Sequence, residues 1–466
     1  MDQTTTKRFL PWIVAIALFM QQLDSTILNT GIPAIASSLG STPLALKAVV
    51  TSYILSLAVC IPLSGWLTER FGSRRVFLLA LTTFLVSSIA CGLAVNADML
   101  IAARVPQGVS AAMMMPVGRT AIVRTFPKGE LLRAMNFVII PALLGPLLGP
   151  TVGGLIVHWF SWRDIFFVNV PVGLLALWFG HKYMPDYRSA TPRPLDVRGL
   201  VLFVGGAGLL SWLLEIFGEH DLSNGRALAM LVVSLSLLAA YGWHSSRVPF
   251  PLLRLSLLQV RTFRVSVLGG FVTRLSVGGM PFLLPLLYQV GMGLPAWQSG
   301  LLMMPAAAAA MGMKVIAAAL LRRFGFRRVL TVNTVLVGCT VAAYSLVDVA
   351  TPIVAIVAIG LLMGLFNSLQ YSSMNSMAYA DVDDADAAMA STMASTMQQL
   401  SMSFGLACGS LVTGYYLAGL PQTDPVAVSA ALHHTFLTLA VLTLLSSLSF
   451  RALRIDDGES VSRGST

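Results

Sequence analysis

Apolar runs of about 20 residues recur along nearly the whole chain, and each is long enough to cross about 30 Å of hydrocarbon. Hydrophobic residues make up 56% of the chain and charged residues only 11%. Because the runs are continuous rather than alternating, a transmembrane β-barrel is excluded. The sequence therefore predicts an all-α polytopic membrane protein. We place fourteen spans, at residues 9–30, 44–67, 76–95, 99–118, 132–156, 165–184, 197–217, 227–244, 263–289, 296–321, 328–348, 352–377, 390–418 and 429–450.

Lysine and arginine are concentrated in the loops on one side of these spans. Lys7 and Arg8 precede the first span, whereas the loops of the opposite side hold little beyond Arg163 and Arg226. Positively charged loops stay in the cytoplasm, so an even number of spans predicts that both termini are cytoplasmic. This distribution accounts for the net charge of +10 without a nucleic-acid partner.

A basic sequence motif occurs twice in the chain. Arg70-Phe-Gly-Ser-Arg-Arg75 returns at position 323, 253 residues later, as Arg323-Phe-Gly-Phe-Arg-Arg328, and each copy joins two apolar spans. Such a repeat is typical of a transporter built from two related halves. The interval encloses eight predicted spans rather than six, so two extra spans separate the halves. We predict a six-helix bundle over residues 1–184, a linker with two extra helices over 185–261, and a second six-helix bundle with a short tail over 262–466.

Both copies of the basic motif are predicted to take part in conformational change. Gly65 should permit a close helix approach and Gly72 a tight turn. The charges should pair across neighbouring helix ends and separate when the halves move; simple anchoring by positive charge is the alternative. The residues concerned are Gly65, Glu69, Arg70, Gly72, Arg74, Arg75, Arg323, Gly325 and Arg327.

The fifth predicted span combines regularly spaced glycines with prolines. Gly145, Gly149 and Gly153 recur every four residues and form one stripe for close helix packing, and Gly154 follows directly. Pro146 and Pro150 bend the helix and free backbone carbonyls. This density indicates a specialised hinge rather than an ordinary packing face.

Two spans contain polar faces with a charge. In the first span, Asp24 shares a helical face with Gln21 and Asn29. In the fourth, Arg104 shares a face with Gln107. A charged side chain inside a span is costly and is usually functional.

In combination, these motifs resemble the major facilitator superfamily and, more closely, its fourteen-span drug:proton antiporter family of the EmrB/QacA type. The resemblance is carried by the basic turn, the Arg-Gln-Gly of span four, the glycine–proline stripe, the Leu-Asp-Ser-Thr-Ile-Leu-Asn of residues 23–29, and residues 162–173 and 196–199. Residues 366–375 are similar to the MdtD/HsrA-like subgroup. Glu69 departs from the usual aspartate but keeps the charge. The resemblance implies a major facilitator fold: two six-helix bundles plus two extra helices.

The resemblance also implies that the first and fourth spans are neighbours. By helix rise, Asp24 lies roughly 22 Å and Arg104 roughly 21 Å from the cytoplasmic face. We therefore expect the two side chains to pair and to carry proton coupling. A static structural pair is the alternative.

The cargo is less well constrained by the sequence. Among the charges within the spans, the basic residues Lys47, Arg104, Arg274 and Lys314 outnumber the acidic residues Asp24 and Glu215. This excess favours an anionic or weakly acidic cargo, whereas the family resemblance favours amphipathic drugs; both stay open. Lys314 could line the cavity or extend to the inner surface. The residues predicted to line a substrate cavity are Gln21, Asn29, Gln107, Arg274 and Lys314.

We thus predict a proton-coupled exporter of small molecules in a bacterial inner membrane, working as a monomer. A proton-coupled importer and a non-transporting membrane sensor are the alternatives. The chain has no phosphate-binding Gly-x-x-x-x-Gly-Lys-Ser/Thr loop, no cluster of metal ligands and no catalytic constellation. We therefore expect neither enzymatic activity nor a cofactor or metal, and the proton gradient as the energy source.

Overall fold

The computed structural model describes residues 3–216, 224–383, 386–417, 419–454 and 456–458. All regular secondary structure in these ranges is helical. The α-helices are α1 (Gln3–Ile27), α2 (Ile32–Ser38), α3 (Lys47–Phe71), α4 (Ser73–Gly92), α5 (Ala97–Thr125), α6 (Lys128–Trp159), α7 (Asp164–Phe167), α8 (Asn169–Tyr183), α9 (Val197–Ile216), α10 (Asn224–Ser245), α11 (Arg261–Arg264), α12 (Gly270–Val277), α13 (Met280–Leu286), α14 (Ala296–Phe324), α15 (Phe326–Ala343), α16 (Ile353–Ala378), α17 (Ala387–Leu417) and α18 (Pro425–Ser446).

Twelve helical segments of the described chain are long and apolar enough to cross a membrane. Two further helices, α5 and α17, have 29 and 31 residues but are less apolar: α5 carries Arg104 and Arg119, and α17 is rich in serine and threonine. The all-α polytopic membrane fold is therefore confirmed, while the count of fourteen spans stays a prediction. Residues 459–466 of the predicted tail lie outside the described residues.

The two copies of the basic motif form the same turn. Helix α3 ends at Phe71 and α4 begins at Ser73, so Gly72 alone joins them, with φ 92°. In the second copy Gly325 alone joins α14 to α15, with φ 72°. Both angles lie in the left-handed region that favours glycine. The short glycine turn between two apolar helices is confirmed at both places.

The chain forms two compact units. The first comprises Met1–Asp196 together with Pro295–Gly300, and the second comprises Val197–Leu294 and Leu301–Thr466. Helices α9 and α10, which pack on each other, belong to the second unit. The predicted three-part division, with these helices in a separate linker, stays a prediction.

Each unit contains one long apolar segment whose α-helix is interrupted. In the first unit, a 3₁₀ turn (Leu28–Gly31) separates α1 from α2, which begins with a proline in its first turn. In the second unit, a π turn (Val265–Gly269) lies between α11 and α12, Gly278 and Gly279 lie between α12 and α13, and a second π turn follows (Leu287–Gly291). Interrupted helices of this kind are where transporters place binding sites, because they leave irregular backbone next to a cavity.

In the first unit, α1 is the central helix and packs against α5, α6 and α8. Its buried side chains include Leu10, Ile13 and Met20, which join a core with Phe77 and Met114. In the second unit, α15 packs between α16 and α18, and α12 packs against α17 and α18.

Candidate functional site

Asp24 and Arg104 form an ion pair inside the first unit. Arg104 Nη1 donates to Asp24 Oδ2 at 2.7 Å, and both residues are only 1% exposed. Asp24 lies one turn before the end of α1, and Arg104 lies in the second turn of α5. The two side chains that the sequence predicts at one depth are thus in direct contact.

Two amide side chains complete the surroundings of the carboxylate. Gln107 Nε2 and Asn169 Nδ2 donate to Asp24 Oδ1 at 3.1 and 2.8 Å. Asn169 also donates to Ser88 Oγ at 3.1 Å, and Ser88 donates to the carbonyl of Phe166 at 2.9 Å. Three donors therefore satisfy the carboxylate, which is the condition for keeping a charge in the interior of a membrane protein.

The guanidinium of Arg104 is held from three further directions. Its Nε donates to the carbonyl of Val49 at 3.2 Å, and its Nη1 also donates to Gln107 Oε1 at 2.8 Å. The ring of Tyr53 lies 4.2 Å from its Cζ, a cation–π contact. Gly108, one turn after Arg104, allows α5 to approach α3, because a Cβ there would lie 2.9 Å from Ser56 Cβ.

The network includes residues that the sequence did not single out. Asn169, Ser88 and Tyr53 were not predicted as site residues, although Asn169 lies in a segment that carries the family resemblance. Gln21 and Asn29, by contrast, make no hydrogen bond to Asp24. Both are buried, and in the described part of the chain their side-chain oxygens have no hydrogen-bond partner.

The glycine stripe of α6 packs against α1 next to Asp24. A Cβ at Gly145 would lie 2.7 Å from Gln22 Cβ, and one at Gly149 would lie 3.0 Å from Thr26 Cβ. At Gly153 the distance to Thr30 Oγ1 would be 2.6 Å. The predicted close packing is therefore present, and α1 is its partner.

Threonine hydroxyls of the α1 region bridge the same interface. Thr26 Oγ1 donates to the carbonyl of Gly145 at 3.4 Å, and Thr30 Oγ1 donates to that of Pro150 at 3.1 Å. Gly154 faces another neighbour, since a Cβ there would lie 2.9 Å from the carbonyl carbon of Ala296 in the same unit. Every glycine of the motif is thus used for contact with backbone or with a short side chain.

The first basic turn is covered by the chain that follows α8. Asp186 Oδ1 accepts from the backbone N–H of Arg74 at 3.2 Å, and Ser73 Oγ donates to the carbonyl of Pro185 at 2.9 Å. The backbone N–H of Ser189 donates to the carbonyl of Glu69 at 3.2 Å. A segment of the predicted linker is therefore attached to the turn.

One expectation about this turn is wrong, and a second is not observed in this conformation. The space beside Gly65 is open, with no atom within 4 Å of a Cβ built there, so the close helix approach expected at this glycine is wrong for this structure. Among the ion pairs of the described residues, none involves Glu69, Arg70 or Arg75. Hydrogen bonds from the following segment hold the turn instead. Roles of the turn residues in movement stay predictions.

Arg274 lies in the second unit, on α12, and is 5% exposed. It lines a small cavity together with Asn375 of α16 and Gln398 of α17. Lys314, also predicted to line a cavity, is exposed on α14 and is not among the residues around Arg274. The two basic residues are therefore not neighbours in one pocket, and the role of Lys314 stays a prediction. No cluster of potential metal ligands occurs in the described residues.

A helical membrane protein of two units, with interrupted helices and a buried charged network, has the features of a secondary transporter. The family model of the Major Facilitator Superfamily matches residues 14–406. The chain belongs to this superfamily; it is a transporter and not an enzyme.

The similar relatives include proteins named "Putative multidrug resistance protein MdtD". The one from Serratia proteamaculans (strain 568) is 36% identical over 445 residues, which cover 96% of this chain and 93% of the relative. The one from Klebsiella pneumoniae (strain 342) is 36% identical over 459 residues, covering 98% and 97%. These likenesses extend over almost the whole of both chains.

Solved structures confirm the fold. The POT family transporter PepTSo has a TM-score of 0.71 at 15% identity and covers 95% of this chain and 97% of its own. A bacterial homolog of the human lysosomal transporter Spinster has a TM-score of 0.70 at 12% identity and covers 96% and 97%. At such low identity the likeness concerns the fold alone.

Proposed function

We propose that the protein is a proton-coupled antiporter that exports small molecules across a bacterial inner membrane. It works as a monomer, without a cofactor, and both termini lie in the cytoplasm. The names of the MdtD relatives support export of drug-like molecules, and the excess of positive loops on one side supports the orientation. The observation that carries proton coupling is the buried pair of Asp24 and Arg104.

The pair suits a proton carrier because the negative charge of Asp24 can be neutralised in two ways, by Arg104 or by a bound proton. In the observed conformation the charge of Asp24 is balanced by Arg104 and by two amide donors. Opening of the site toward the outside would separate the pair and expose the carboxylate to protons. Protonated Asp24 no longer attracts Arg104, so the proton changes which conformation is favoured.

The position of the pair links this change to movement. Asp24 lies on α1 where that helix is packed against the glycine stripe of α6. A shift of α1 along this smooth surface would move the carboxylate relative to Arg104 on α5. Proton binding and helix movement are thereby joined in one element.

The test replaces the carboxyl proton site and preserves its shape. Purified Asp24→Asn is reconstituted into liposomes that contain a pH-sensitive dye, and ethidium-dependent proton movement under an imposed pH gradient is recorded. Ethidium exchange without a gradient is measured in the same vesicles. We expect the variant to lose proton movement and to keep exchange. Asp98→Asn, an exposed change on α5, is the matched control and should behave as the wild type.

A double variant separates coupling from a static structural role. Removing one member of a buried pair costs about 3–5 kcal/mol of stability, whereas removing both is far milder. Asp24→Asn with Arg104→Gln should therefore recover thermal stability but not proton-driven transport. Recovery of both would identify the pair as structural and refute the coupling. Proton-driven uptake instead of export would favour the importer, and no flux of any probe by the wild type would favour the sensor.

A further inference from the structure

The second unit contains a buried positive charge that is incompletely satisfied. Arg274 is 5% exposed, and no ion pair of the described residues includes it. Its Nε has no hydrogen-bond partner in the described chain, and its Nη2 reaches only Gln398 Oε1, at 3.5 Å. The ring of Tyr371 lies 4.8 Å from its Cζ and supplies a cation–π contact. An arginine inside a membrane span is costly, and these contacts compensate for it far less completely than those around Arg104.

The helix around Arg274 is irregular. A π turn (Val265–Gly269) precedes α12, and the helix is interrupted directly after it. The carbonyl of Arg274 accepts from the N–H of Gly278 at 2.6 Å. Gly270, one turn before, has a Cα close to the guanidinium, because a Cβ there would lie 2.8 Å from Nη1. A glycine and an irregular helix thus make room for the arginine head within the unit.

The space next to the guanidinium is a cavity with polar and soft apolar walls. Asn375 and Gln398 supply amide groups, Ser266 a hydroxyl, and Met374 and Met397 flexible thioether chains. In this conformation its volume is only about 10 Å³, which is room for about one water molecule. Asn375 is exposed, so the cavity reaches the surface of the unit there. A carboxylate can reach the guanidinium from that side once the flexible side chains of Met374 and Met397 move aside.

We propose that Arg274, Asn375 and Gln398 form a binding subsite for the carboxylate of an amphipathic organic anion. The guanidinium provides charge and directed N–H donors, and the amides provide further donors. The two methionines accept varied apolar groups next to the carboxylate. Since the anion is the partner that Arg274 lacks, its arrival satisfies a group that is otherwise left with unused donors.

The subsite would select organic anions as cargo, and this assignment rests on the proposed transport function. The binding itself needs no proton gradient. Loss of flux in Asp24→Asn with unchanged anion binding would leave this subsite standing. Conversely, proton-driven flux of a cargo with no preference for anions would leave the coupling standing and remove the subsite.

The experiment compares acids with their neutral amides. Thermal unfolding of the purified protein in detergent is followed with benzoate and benzamide, and with 1-naphthoate and 1-naphthamide. We expect the acids to raise the melting temperature and the amides to leave it unchanged. In Arg274→Gln, binding of the acids should weaken about tenfold or more, and in Arg274→Lys by less, because an ammonium lacks the planar pair of donors. Arg264→Gln, an exposed arginine ten residues earlier, should bind as the wild type.

A second variant tests the subsite without removing the arginine. Gln398→Glu places a carboxylate beside the guanidinium and supplies the missing partner from within the protein. We expect it to raise the melting temperature without ligand and to abolish the response to benzoate. Gln399→Glu, the same change one residue away and outside the cavity, should do neither. The proposal is overturned if the acids and amides act alike on the wild type, or if Gln398→Glu keeps the full response to the acids.

Discussion

Gly72, which joins α3 to α4, should be the least replaceable residue of the basic turn. Its backbone angles, φ 92° and ψ 147°, lie in a region that is essentially restricted to glycine. A Cβ at this position would also lie 2.9 Å from the Cγ of Asp186. Asp186 accepts a hydrogen bond from the N–H of Arg74 in the first turn of α4. Gly72→Ala therefore strains the backbone and displaces a helix cap at the same time.

The two effects have separate magnitudes. Backbone strain in this region costs about 1–3 kcal/mol, and loss of a side-chain cap at a helix N-terminus costs about 1 kcal/mol. We expect Gly72→Ala to lower the free energy of unfolding by about 2–4 kcal/mol, the sum of these terms. The assay is reversible unfolding in mixed micelles with a rising fraction of dodecyl sulfate, followed by tryptophan fluorescence.

Gly40→Ala and Asp186→Ala separate the contributions. Gly40 also has a positive φ, 63°, but no atom lies within 4 Å of a Cβ built on it. It should therefore cost only the strain, about 1–2 kcal/mol. Because Gly72→Ala and Asp186→Ala both remove the same cap, the double variant should cost about 1 kcal/mol less than the sum of the single variants. Equal costs for Gly40→Ala and Gly72→Ala, together with strict additivity, would refute a role for the Asp186 contact.

Two further outcomes can be measured directly. Gly149→Ala should lower ethidium transport about tenfold or more while membrane levels stay normal, because its Cβ would meet Thr26 and push α1 away from α6; Gly208→Ala, where the space is open, is the matched control, and equal transport in both would contradict the packing argument. Reporter fusions before Met1 and after Thr466 should show that both ends are cytoplasmic, with fluorescent protein reporters active and alkaline phosphatase reporters inactive; opposite locations would mean an odd number of spans.

The sequence predicts the helices better than their surroundings. Continuous apolar runs and positive loops are strong signals because a bilayer permits few alternatives. The duplicated glycine turn is confirmed, since a single glycine with positive φ joins two helices in each copy, although the helices extend closer to the glycine than the predicted spans do. The neighbours of Asp24 could be predicted only in part. Gln107 shares the helix of Arg104, whereas Asn169 and Ser88 come from other helices, whose arrangement the periodicity of the sequence does not reveal.

The wrong prediction at Gly65 has the same origin, namely a helix arrangement that the sequence does not specify. Gly65 was expected to mark a close approach, but one glycine does not specify which neighbour will be present, and here its space is open. The roles of Gln21 and Asn29 in lining a cavity stay predictions; both side chains are buried, and Asn29 lies in the 3₁₀ turn Leu28–Gly31.

The two buried arginines illustrate how the same side chain can serve different purposes. The Nε and Nη1 groups and the face of the Arg104 guanidinium are matched by a carboxylate, an amide, a carbonyl and an aromatic ring. Arg274 has one aromatic ring and one long contact to an amide, beside an empty space. A charge paired with a carboxylate responds when a conformational change or a proton alters that partner, whereas a buried charge without an ionic partner responds to an anion that fits. This difference supports the proposals of proton coupling at Arg104 and of cargo recognition at Arg274.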